Sequence, residues 1–161
     1  MTGTTAFDSN ISNNEMKEQV QKTLNELISL NRDAVEGYER AAELLENEQY
    51  KEICQEYAKL REGFIDQLSI MSKTYSGEPT DNQSVSSILH SAWMSLRDII
   101  SDDDSAVFAE CDRGEEVAVE SYQEAIADDL PSDVEALLRS QHFLLQGSYE
   151  RIHRLSAALS Q

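Results

Sequence analysis

The chain has 161 residues, 31 acidic and 13 basic, giving a formal net charge of −18. That length favours one domain, and the charge argues against binding nucleic acid, whose phosphates must be met by clustered Lys and Arg. It equally disfavours an anionic membrane surface. No apolar run approaches the roughly 20 residues of a membrane span. The opening residues, Met1 to Asp8, show neither the basic nor the apolar part of a secretory signal. Cys54 and Cys111 both fall within helical pattern and make no disulfide framework, so a cytoplasmic protein is expected.

Apolar residues recur every three or four positions, the helical period, and no strand-like alternation occurs. Residues 1–12 are small and polar and are expected to form a flexible tail ahead of a single bundle domain, 13–161. Ser12-x-x-Glu15 reads as a capping box opening helix A, which runs to about Glu46. Its inward stripe holds Val20, Leu24, Leu27, Asn31, Ala34, Val35, Tyr38, Ala42 and Leu45. After a turn near Asn47, helix B turns Ile53, Tyr57, Leu60, Phe64, Leu68 and Met71 inward.

Residues 77–82, with Gly77 and Pro79, read as a loop, and a shorter helix is expected over about Ser84–Ile100 with Trp93 and Leu96 on its apolar face. Asp102, Asp103 and Asp104 precede helix C, placing acids at its positive end. Helix C carries Phe108, Cys111, Glu115, Ala118, Val119, Tyr122 and Ile126. Pro131 suits the first turn of helix D, with Ser132-x-x-Glu135 a second capping box. Its stripe is Val134, Leu137, Gln141, Leu144, Leu145, Ser148, Ile152, Leu155 and Leu159.

The A–B and C–D turns are short, so each pair reads as an antiparallel hairpin. The intervening helix, roughly 25 Å at about 1.5 Å per residue, is long enough to carry the chain back along the bundle and leave C parallel to B. The fold class is therefore all-α, a ferritin-like four-helix bundle of two antiparallel hairpins with an additional helix in the crossover. A five-helix up-down array is the rival arrangement.

Val35–Ala42 and Val119–Ile126 align at an offset of 84, sharing Val, Glu, Tyr and Ala, which suits a two-fold-related pair of hairpins. That register sets Asn31 opposite Glu115 and tests for metal chemistry. Ferritin-like di-iron proteins need an inward Glu from each of two helices and Glu-x-x-His from each of the others. Here Glu115 faces Asn31, and helix B has no histidine. Glu150-x-x-His153 has the right letters, but at about 100° per residue both point away from the stripe of helix D and read as a surface pair. Glu36, Glu62, Glu116 and Glu120 also point outward. No complete centre is present, and Glu115 is left as a weak candidate for a lone ion.

A buried carboxylate is costly unless paired, so Glu115 should be hydrogen-bonded, water-bridged or protonated, with Arg61 as counter-charge and Gln141 and Ser148 at similar height. Asn31, Arg61, Glu115, Gln141 and Ser148 thus form a candidate inward polar layer. It fixes helix register, or else lines a small-ligand or metal pocket; the bland alternative is no buried network at all. Gly37, Gly63, Gly114 and Gly147 fall mid-helix, each costing about 1 kcal/mol relative to Ala, which points to close backbone approach, either to the crossover or to a partner. His90 lies off the Leu89/Trp93/Leu96 face and reads as a solvated histidine, and His142, on the edge of helix D, has no Cys or acid partner for nucleophilic work. The Asp102–Asp104 run lacks the Gly and terminal Glu of a Ca²⁺ loop.

The run Asn31–Tyr38, Trp93-Met-x-Leu96, Cys111–Glu115 and Asp129-Leu-Pro131 together resemble a bacterial family of ferritin-like four-helix-bundle proteins classed as a domain of unknown function. The resemblance spans about residues 20–158 and implies the fold, while bringing no activity, cofactor or catalytic residue. Members of that family often place a histidine where this chain has Tyr149, which further weakens a metal role for helix D. The expected function is a non-catalytic bundle that binds an unknown protein partner or associates with itself, with stress physiology suggested by family analogy alone. The alternative is a ferritin-like metal-binding oxidoreductase with a non-standard site around Glu115.

Overall fold

The computed structural model describes residues 4–76, 93–99 and 103–161. Among them the protein is all-α, with four helices and no strand: α1 (Thr4–Leu44), α2 (Glu48–Ser76), α3 (Asp104–Ala127) and α4 (Ser132–Leu159). A 3₁₀ turn, Met94–Arg97, lies in the connection between α2 and α3. The expected loop over 77–82, the body of the helix starting near Ser84, His90 and Asp102 fall outside the described residues.

Several boundaries differ from expectation. Helix α1 begins at Thr4 rather than at Ser12. Once a helix is nucleated, extending it through residues of modest propensity costs only a few tenths of a kcal/mol each. At α4, Pro131 is the N-cap residue and no side chain caps the helix. The Ser132/Glu135 capping box therefore does not form; the Asp133 carboxylate instead accepts from Val134 N (2.9 Å) and from the Tyr75 hydroxyl (2.6 Å). Asn47 caps α2 through bonds from Gln49 N (2.9 Å) and Tyr50 N (3.3 Å), and Asp103 caps α3 through Ser105 N (3.0 Å).

Contacts between side chains fix the helix directions. Asn31 meets Arg61 and Gln21 meets Ser72, so α1 and α2 run antiparallel. Tyr38 meets Glu115 and Asn31 meets Tyr122, so α1 and α3 do too. Gln141 meets Gln67 while Arg151 meets Glu56, making α4 antiparallel to α2. By the same logic Tyr122–Gln141 and Glu115–Ser148 set α4 against α3. It follows that α2 and α3 are parallel and lie diagonally across the bundle.

Where the connection is described, it occupies the α1/α3 groove and is a 3₁₀ turn, not the end of an α-helix. Trp93 and Leu96, 7% and 1% exposed, are both buried there. A coil with three residues per turn stacks positions i and i+3 on one side, which is what burying this pair requires. A Cβ on Gly37 or on Gly114 would overlap the Trp93 indole. These two glycines thus form the walls of the tryptophan's slot, and the indole packs on Tyr38 with ring centroids 5.0 Å apart. Gly63 and Gly147 are exposed and have no neighbour within 4 Å of a Cβ position, so close approach among the described residues does not explain them.

The stripe of helix D is rotated from its expected setting. Leu138 is fully buried, whereas Leu144 is 48% exposed and Leu137 is half-buried. On α1, Ala41 rather than Ala42 is in the core. In both helices the expected stripe was wide enough to include a neighbour on the wrong flank.

Candidate functional site

The buried apolar residues separate into two clusters along the bundle axis. One gathers around Leu24, Leu68, Leu138 and Leu145, the other around Tyr38, Cys54, Phe108 and Ile152. On every helix the change from one cluster to the other falls at a polar residue: Asn31, Arg61, Glu115 and Ser148. Together with Gln141, at 1% exposure, these are the residues of the expected inward polar layer, and the structure brings all five into one hydrogen-bonded network.

Its centre is an ion pair sealed from water. Arg61 Nη2 lies 2.9 Å from Glu115 Oε1, and both side chains are 0% exposed. Arg61 Nη1 donates to Asn31 Oδ1 at 2.8 Å, so the guanidinium bridges α1 and α3 from its place on α2. Glu115 Oε1 also accepts from the Tyr38 hydroxyl, and Oε2 accepts from Ser148 Oγ at 3.1 Å. Each carboxylate oxygen therefore has a donor, the condition under which a buried charge is tolerated. The Arg61 guanidinium stands 5.9 Å from the Phe64 ring centroid, and its Nε has no hydrogen-bond partner.

A second branch leaves through Asn31. Its Nδ2 donates to the Tyr122 hydroxyl (2.9 Å) and to Leu27 O (2.8 Å). Tyr122 donates in turn to Gln141 Oε1 (2.7 Å), and Gln141 Nε2 reaches Gln67 Oε1 at 2.9 Å and Phe64 O at 3.3 Å. The repeat at an offset of 84 explains the pattern. Tyr38 of α1 bonds Glu115 of α3, while Tyr122 of α3 bonds Asn31 of α1: the same contact made in both directions. Arg61 breaks this symmetry, since the equivalent position 61 + 84 = 145 is Leu145 in the apolar core.

The tyrosine hydroxyls and Gln67 were not among the expected site residues. Tyr38 and Tyr122 fit an apolar stripe, so periodicity assigns them to packing; the signal for a shared polar role was their alignment in the repeat. Burial pushes the Tyr122 phenol up to about 12, against the weaker lowering by Asn31 and Arg61. Tyr38 is held well above its ordinary value by burial first and then by the neighbouring Glu115 charge. The sign follows directly. A raised phenol pKa stabilises the fold fully below pH about 10 and loses that contribution as pH rises through the folded value. Tyr122 alone should cost about 2 kcal/mol by pH about 12. Spectrophotometric titration at 295 nm should show both phenolates appearing only together with loss of helical CD.

The other candidates lie at the surface or stand apart. Glu36, Glu62, Glu116, Glu120 and Glu150 are exposed, and exposed His153 pairs through Nδ1 with Asp112 Oδ1 at 2.9 Å. Half-buried His142 is shifted down, by burial and then by Arg139. Cys54 and Cys111 are both buried, and the hydrogen bond between them, followed by burial, holds the Cys111 thiol well above its usual range. A thiol in that state is a poor nucleophile.

A two-metal carboxylate centre of the kind found in ferritin-like enzymes does not fit these side chains. It would need several free carboxylates and imidazoles. The centre offers a single carboxylate with both oxygens engaged, two amides and a guanidinium already carrying the positive charge. Among the described residues there is no group of three or more His, Cys, Asp and Glu side chains able to hold a metal ion. Two surface grooves of about 530 and 520 Å³, one between α2 and α4 and one between α1 and α3, include none of the network's side chains in their linings. No described helix is long and apolar enough to cross a membrane.

Fold and site together define a class: a protein that is all-α with four helices among its described residues, and with an arginine-centred hydrogen-bond network at its middle. Over residues 19–128 the sequence matches the family described as Domain of unknown function (DUF2383), and the chain belongs to that family. Among curated proteins none matches the chain.

Proposed function

We propose that this protein is a ferritin-like bundle in which an internal arginine takes the place of a metal centre, and that it is a non-catalytic, cytoplasmic protein that binds a protein partner or associates with itself. The observation that carries the reading is the Arg61 guanidinium bonded to both Asn31 and Glu115. Those two residues occupy equivalent positions in the repeat, where a ferritin-like metal centre would take one ligand from each hairpin. An Asn at one of them and a guanidinium between them supply cation and counter-ion from the chain itself. The parallel, diagonal setting of α2 and α3 supports the ferritin-like arrangement, because only a long crossover between the hairpins joins helices in that relation.

A closed network also suits a binding role better than turnover. Each member has a partner, which fixes the helices' register, and the network presents no open position to a substrate. The test is metal add-back. Protein purified without chelator should contain substoichiometric iron and manganese. Anaerobic addition of either ion should leave the thermal midpoint unchanged, since a bound ion would raise it by mass action. Stoichiometric metal that is lost in Glu115→Gln would instead overturn this reading and place a metal site at Glu115.

A further inference from the structure

Of the large apolar side chains exposed among the described residues, Phe143 is the most exposed at 75%, and Leu144 beside it is 48% exposed. Both lie on α4, whose outer face carries Ala136, Ser140, Phe143, Gly147, Glu150 and Arg154, all exposed and spaced alternately by four and three. That spacing keeps one stripe facing a neighbouring helix along its whole length. Among the described residues nothing covers it. Gly147, one turn from Phe143, sits at the stripe's middle with no neighbour within 4 Å. Between α1 and α3, two mid-helix glycines make room for an aromatic ring; at Gly147 the space above the helix is open.

We propose that this face of α4 binds the same face of a second copy of the chain, antiparallel across a two-fold axis near residue 145. The proposal deepens the self-association reading above and rests on it. About that axis Phe143 of one copy lies over Gly147 of the other, whose missing side chain admits the ring and lets the two helices approach closely. The charges select this alignment. Glu135 and Arg139 flank one side of the pair, and Glu150 and Arg154 the other. Antiparallel pairing sets Glu135 against Arg154 and Arg139 against Glu150, each twice by symmetry. A parallel pairing would set every one of these charges against its own kind.

Overall charge favours the same helix. Across Ser132–Leu159 three acids (Asp133, Glu135, Glu150) are matched by three arginines (Arg139, Arg151, Arg154), 3 − 3 = 0, in a chain of −18. By contrast Asp104–Ala127 has seven acids and one arginine, 1 − 7 = −6, so copies meeting there would repel. One helix pair buries less surface than an obligate dimer does, so the pairing is a monomer–dimer equilibrium.

Sedimentation equilibrium of the whole chain from micromolar to millimolar concentration tests it. The mass should rise from one chain toward two, and Phe143→Glu and Gly147→Leu should each hold it at one chain with helical CD retained, the leucine raising the thermal midpoint through helix propensity. Arg139→Glu/Arg154→Glu should be monomeric alone and should dimerise when mixed with Glu135→Arg/Glu150→Arg. A wild-type chain that stays monomeric over the range, a dimer undiminished in Phe143→Glu and Gly147→Leu, a mixture of the charge variants that does not pair, or larger oligomers would each overturn the proposal. None of these outcomes bears on the metal add-back result, so the two readings fail separately.

Discussion

Arg61→Leu is expected to destabilise the protein by about 3–5 kcal/mol, because it strands a buried carboxylate that has lost its counter-charge. Glu115 would keep the Tyr38 and Ser148 hydroxyls, which donate to it but carry no compensating charge. Asn31 would lose the donor to its Oδ1 as well. Adding Glu115→Gln to Arg61→Leu should recover much of the loss, since the amide keeps the shape and removes the charge. Such non-additivity marks two residues acting as one unit. Urea unfolding followed by CD gives all the terms, and equal, additive losses would mean that Arg61 and Glu115 are not coupled.

Trp93→Ala should rank beside it, at about 3–5 kcal/mol for an aromatic residue removed from a packed site. Its surroundings sharpen the prediction. With the indole present, Gly37→Ala and Gly114→Ala force their Cβ atoms into the ring, and overpacking of this kind costs about 1–3 kcal/mol. In the Trp93→Ala background the same substitutions should each stabilise, by up to about 1 kcal/mol, because only the helix propensity remains. A change of sign between backgrounds, read from denaturant midpoints, would show that both glycines serve the tryptophan. The same sign in both would place the cause elsewhere.

The all-α class and the positions of the four long helices were legible because apolar residues at helical spacing dominate each segment. The polar layer was legible for a related reason: Asn31, Glu115, Gln141 and Ser148 interrupt otherwise apolar stripes, and Arg61 lies on the flank of one. What sequence could not supply was the connectivity of the layer. A tyrosine on a stripe looks the same whether its hydroxyl is bonded or merely tolerated, so the Tyr38–Glu115 and Tyr122–Asn31 bonds emerged only in three dimensions. The glycines illustrate a similar limit. Their mid-helix positions mark all four alike, whereas the slot joins only Gly37 and Gly114, across two helices distant in sequence. Boundaries were least legible, because capping-box letters at Ser12 and Ser132 occur where no cap forms.

The guanidinium NMR spectrum of Arg61 speaks most directly to the idea that this bundle carries its own cation. A guanidinium held by Asn31 and Glu115 should give separate, slowly exchanging Nη proton signals that vanish in Arg61→Lys and move in Glu115→Gln. Averaged, rapidly exchanging signals from every arginine would contradict the account.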